Sequence, residues 1–106
     1  MIQSFGPDDN GRATKIGVHS EFSITLPETR TTGFRWTIDE LPPILEVIAD
    51  KSNPPTDSQP GAGGTRSWFF RGVGTGRGRL RLSLQARTER NSDAAPFELT
   101  IEIVPD

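Results

Sequence analysis

The 106-residue chain contains no cysteine and only one histidine. Lacking cysteine, it has no disulfide, no thiol nucleophile and no thiolate metal site. It therefore folds without staples, and its compartment is left open. One histidine rules out histidine-cluster metal centres. His19 lies in the polar stretch Gly17-Val18-His19-Ser20. No nucleophile-elbow pattern accompanies it, so it reads as a solvated histidine rather than a catalytic one. The first residues, Met1 to Asp9, carry neither the basic nor the apolar region of a signal peptide. No window approaches the roughly 20 apolar residues a membrane helix needs. As given, the chain is expected to be soluble and cytoplasmic, or periplasmic or secreted if a leader has been removed.

Helical periodicity is also nearly missing, and apolar alternation takes its place. In Glu21-Phe22-Ser23-Ile24-Thr25-Leu26, the residues Phe22, Ile24 and Leu26 share one face. This is the mark of a half-buried strand. Phe34, Trp36 and Ile38 repeat the pattern, as do Leu80, Leu82, Leu84 and Ala86, and then Phe97, Leu99, Ile101 and Ile103. Shorter runs at 44–48 and 67–71 also read as strands, and 2–5 and 15–18 as weaker ones. Residues 49–65 read as a loop because of Asn53-Pro54-Pro55 and Gln59-Pro60-Gly61. Seven to eight short strands in about 100 residues fit two packed antiparallel sheets. The whole chain, 1–106, is expected to be one domain.

Charge is uneven. Residues 66–90 carry seven arginines and one acid, a balance of +6, whereas the rest carries five basic residues and thirteen acids, a balance of −8. Arginines alternating along a strand read as its solvated face, and they discourage edge pairing. Opposition between Arg79/Arg81 and Glu98/Glu102 on neighbouring strands is expected. Nucleic-acid binding would need exposed aromatics among the cations, yet Trp68 and Phe70 share a core face. Gly74-Thr75-Gly76-Arg77-Gly78 precedes a strand, not the helix a phosphate cradle requires, and reads as a tight hairpin.

Two segments bear on function. In Leu26-Pro27-Glu28-Thr29-Arg30-Thr31-Thr32-Gly33-Phe34-Arg35-Trp36, short stiff threonines and a glycine join two strands. Read alone, this is either an inter-strand turn or a narrow probe for a cleft. Trp36 belongs to the core in both readings. Pro60-Gly61-Ala62-Gly63-Gly64-Thr65 would let the backbone approach a partner closely, or it is a flexible loop before a strand.

Taken together and in this order, the two segments resemble the chagasin family of cysteine-protease inhibitors. That family carries an Asn-Pro-Thr-Thr-Gly-aromatic-x-Trp loop at the first point and a glycine-rich second loop. The resemblance runs over roughly residues 12–104. It implies an all-β, immunoglobulin-like antiparallel β-sandwich with three loops at one end that block the active-site cleft of papain-like proteases. Inhibition would be reversible and competitive, with no bond in the inhibitor cut. Carried over by position, Thr31, Thr32, Gly33 and Phe34 form the central wedge. Gly61, Ala62, Gly63 and Gly64 form one flank, and Arg87 matches an arginine of the third loop. The expected partner is a papain-like cysteine protease rather than nucleic acid or a membrane. The expected state is a monomer, and neither enzymatic activity nor a cofactor is expected.

Two departures stand out. Thr29-Arg30 replaces the family's Asn-Pro, and Gln85-Ala86-Arg87-Thr88-Glu89-Arg90 lacks the Pro-Trp of its third loop. Loss of a tryptophan anchor predicts weaker or differently targeted inhibition. The alternative is a non-enzymatic immunoglobulin-like interaction module that no longer inhibits proteases.

Overall fold

A computed structural model describes residues 3–28, 34–53, 64–86 and 96–105. Eight strands are present: β1 (Gln3–Phe5), β2 (Arg12–Gly17), β3 (Glu21–Glu28), β4 (Phe34–Glu40), β5 (Leu45–Asn53), β6 (Gly64–Gly72), β7 (Gly76–Ala86) and β8 (Phe97–Val104). They form two four-stranded sheets, in the orders β1-β3-β6-β5 and β2-β8-β7-β4. This is the immunoglobulin-like sandwich that the alternation and the family resemblance predict. Each sheet is antiparallel except at one edge, where β1 runs parallel to β3 and β2 parallel to β8.

The alternating residues fill the space between the sheets. Phe22, Ile24 and Leu26 of β3 meet Trp68 and Phe70 of β6, Leu80 and Leu82 of β7, and all four inward residues of β8. β8 alternates buried and half-buried positions without a break, as expected of a strand with one face on the core. Phe22 lies opposite Phe70 in the register, and their rings stack at 5.1 Å. Phe5 adds an edge contact at 5.9 Å. Cross-strand aromatic pairs of this kind stabilise a sheet beyond the area they bury.

Three differences from the sequence reading have physical causes. First, β5 and β6 extend into 49–65, up to Asn53 and from Gly64. The stretch Ala49–Asn53 shows no apolar alternation, because it lies at the sheet edge with Ala49 opposite Phe69 and Asn53 opposite Thr65. A register shift between Val47 and Ala49 accounts for the broken pattern at 44–48 and leaves Ile48 40% exposed. Second, 74–78 does not form the expected hairpin, since β6 and β7 lie in different sheets. The glycines instead allow close approach. A Cβ on Gly72 would fall 2.9 Å from the Ile103 side chain, and one on Gly78 would fall 2.5 Å from Pro42. Third, Arg81 opposes Glu98 at 3.6 Å, but Arg79 reaches Glu40 on the other side, at 3.2 Å. Glu102 lies opposite Arg77 instead.

His19 is exposed, in the turn between β2 and β3, with φ of 72°. Its amide donates to the Gly72 carbonyl at 2.9 Å.

Candidate functional site

The connections 29–33 (β3 to β4), 54–63 (β5 to β6) and 87–95 (β7 to β8) all leave from one end of the sandwich. The register shows this. Glu28 lies opposite Gly64, Asn53 opposite Thr65, and Phe34 opposite Ala86. Pro27, Trp36, Pro96 and Phe97 line one groove at that end, which places the start of β8 beside the other stems. The 54–63 connection has both stems in one sheet, and the 87–95 connection has both in the other. The 29–33 connection has one stem in each.

Of the residues that the resemblance assigns to binding, Phe34 and Gly64 are described. Phe34 opens β4 and Gly64 opens β6. Thr31, Thr32, Gly33, Gly61, Ala62, Gly63 and Arg87 lie outside the described residues.

Beneath these stems the interior turns polar. In β6, Arg66 is in phase with Trp68 and Phe70, so its side chain points between the sheets. Its Nε and Nη2 donate to the two carboxylate oxygens of Asp50 on β5, at 2.8 and 2.7 Å. Its Nη1 donates to the Trp36 carbonyl on β4 at 2.9 Å and to Glu28 Oε2 on β3 at 3.3 Å. The guanidinium carbon also lies 5.1 Å from the centre of the Trp68 ring. One planar fork therefore ties four strands and both sheets, a task that suits arginine. Glu28 is 5% exposed, and the same Oε2 accepts the Trp36 amide at 2.9 Å. The Trp36 indole N–H donates to the Pro27 carbonyl at 2.9 Å. The buried Glu28 carboxylate thus has both a cation and an amide as partners, as burial of charge demands.

The two hydrogen bonds from Arg66 hold the Asp50 carboxyl below its ordinary value, against a smaller opposing effect of burial. The charges of Arg66 and Arg35 act in the same direction. The Arg66 guanidinium is held more firmly protonated than usual, chiefly by its hydrogen bonds to Asp50.

The sequence reading did not single out this cluster. Its signal was phase. Arg66 falls on the inward register of β6, and Glu28 on the inward register of β3. A charge on a core face needs an opposite charge nearby.

Residues 15–103 match the family described as chagasin family peptidase inhibitor I42. The chain belongs to this family. Chagasin-family proteins are peptidase inhibitors, not enzymes. Among solved structures, the chain is similar to the cysteine protease inhibitor EhICP2 of Entamoeba histolytica, with a TM-score of 0.86, 15% identity, and coverage of 97% of this chain and 96% of that one. It is also similar to amebosin (0.81, 22%, 98% and 99%) and to Leishmania mexicana ICP (0.64, 22%, 98% and 90%). At these identities the likeness is one of fold. No curated protein matches the chain.

Proposed function

We propose that this chagasin-family chain is a reversible, competitive inhibitor of papain-like cysteine proteases that docks through the end carrying 29–33, 54–63 and 87–95. The observation that carries this reading is the convergence of all three stems on one end, on the strands where the family places its binding loops. Of the three, the 29–33 connection is the one that crosses between sheets, and Thr31, Thr32, Gly33 and Phe34 fill the role of wedge. Gly61 to Gly64 line one flank and Arg87 the other. A further support is a solved relative in fold, PbICP-C, which forms a complex with falcipain-2.

Short threonines and glycine present backbone and little side-chain freedom, so a cleft that accepts them gains contact without a large ordering cost. Inhibition needs no chemistry from the inhibitor. Occupying the cleft excludes substrate. The replacement of Pro-Trp in the third connection removes an anchor of a type that commonly contributes about 2 kcal/mol, or some thirtyfold in affinity. Placing Pro-Trp after Arg87 is therefore expected to tighten binding.

The test is a titration of papain and of a cathepsin L-type protease with a fluorogenic peptide substrate at several substrate concentrations. The reading predicts an apparent inhibition constant that rises linearly with substrate, and recovery of activity on dilution. Absence of inhibition at micromolar protein would overturn it in favour of an interaction module with another partner.

A further inference from the structure

We propose that Arg66 is the positioning residue that locks the stems of the first two binding connections together, so that 29–33 and 54–63 meet a protease as one surface. This rests on the inhibitor reading above, and it adds a residue that the family motifs in this sequence do not mark.

The argument is geometric. Each of the two connections is entered and left by strands that carry Arg66 or one of its partners. Glu28 ends β3 and leads into 29–33, and Trp36 follows it on β4. Asp50 lies on β5 before 54–63, and Arg66 itself follows on β6. The guanidinium bonds Asp50 twice, the Trp36 carbonyl once and Glu28 once. Its bond to the Trp36 carbonyl crosses from one sheet to the other. β3 and β5 are not neighbours, since β6 separates them. Arg66 thus supplies a direct polar tie between the stems of one connection and those of the other. The side chain is held in turn by the Trp68 ring beneath it. A surface assembled from separate segments binds more tightly when their relative placement is fixed beforehand.

The role depends on the fork rather than on charge alone. Lysine at this position would still neutralise Glu28, but a single ammonium cannot bond Asp50 twice and reach Trp36 as well. Arg66→Lys therefore separates positioning from folding. Asp50→Asn is a milder second variant, since the Asp50 side chain is 41% exposed and its loss leaves the Arg66–Glu28 pair in place.

The experiment measures inhibition constants for papain together with melting temperatures for the wild type, Arg66→Lys and Asp50→Asn. It adds a double-mutant cycle between Thr32→Ala and Gly63→Ala in the wild-type and Arg66→Lys backgrounds. Arg66→Lys is expected to keep the fold and to raise the inhibition constant about tenfold or more, chiefly through faster dissociation. Asp50→Asn is expected to shift it in the same direction. The two connection variants are expected to be coupled in the wild type and additive in Arg66→Lys, a result that a merely stabilising arginine would not produce. An inhibition constant unchanged in Arg66→Lys and Asp50→Asn, or coupling that survives Arg66→Lys, would overturn the inference and leave the inhibitor reading intact. A wild type that does not inhibit would overturn the inhibitor reading, and the inference with it.

Discussion

The residues of this chain that matter most are those whose phase and chemistry disagree. Arg66 and Glu28 occupy inward positions on core strands, and the Glu28 side chain is only 2% exposed. Removing the arginine would leave a carboxylate without its cation in the interior. Arg66→Met is expected to cost about 3–5 kcal/mol, measurable by urea unfolding. Asp50 behaves differently with pH. Its folded value lies below the ordinary 3.8, so the stability it contributes is fully present above that value. It is lost as pH falls through the lowered folded value. The difference in melting temperature between wild type and Asp50→Asn is therefore expected to be constant from neutral pH down to the ordinary carboxylate range, and to shrink below it. A difference that shrank between neutrality and mild acid would contradict this assignment. Gly78 is a case of space rather than charge. With Pro42 2.5 Å from where a Cβ would stand, Gly78→Ala forces the ring or the strand to shift. It is expected to destabilise by about 1–3 kcal/mol.

At the scale of elements, legibility followed alternation. β3, β4, β7 and β8 announce themselves because apolar residues alternate along most of their length, and Phe22, Ile24, Leu26, Trp36, Leu80, Leu82, Leu99 and Ile101 are buried between the sheets. β5 shows itself only over 44–48, because its register shifts at Ile48 and its later residues carry no apolar alternation. Ile48 is half-exposed there, so Ile48→Lys is expected to change stability by less than about 0.5 kcal/mol while reducing self-association at high concentration. Thermal melts and light scattering would check both. The segment 74–78, with Gly72 before it, looks like a hairpin in sequence for a physical reason. Glycines that permit a turn and glycines that permit close packing look alike in sequence, and only the placement of Ile103 and Pro42 tells them apart. The two parallel edge strands were likewise hidden, since alternation reports which face is buried but not which way a neighbour runs.

At the scale of the whole molecule, four of the five described arginines of the basic segment are drawn into ion pairs. The basic segment faces the acids of the rest of the chain: Arg71 meets Glu21, Arg79 meets Glu40, Arg81 meets Glu98, and Arg66 turns inward. The exposed pairs each contribute little to stability. Their effect is to occupy cations that would otherwise form an open basic face. The candidate binding end was legible only through the family motifs, because Thr31-Thr32-Gly33 and Gly61 to Gly64 are by themselves ordinary turn chemistry. The structure adds the convergence of their stems, together with the half-buried, inward-turned Arg66 beneath them.

In the proposed complex this end, and no other, meets the protease. The most direct measurement is amide chemical-shift mapping of the isotope-labelled chain titrated with papain whose active-site cysteine has been blocked by a small alkyl group. The account predicts that perturbations gather at Glu28, Phe34, Gly64, Ala86 and Phe97 and along the connections they flank. His19, Leu41 and Val73, at the other end, are expected to stay unmoved. Perturbations centred on His19, Leu41 and Val73, or on the outer face formed by Lys15, Arg77 and Glu102, would contradict it.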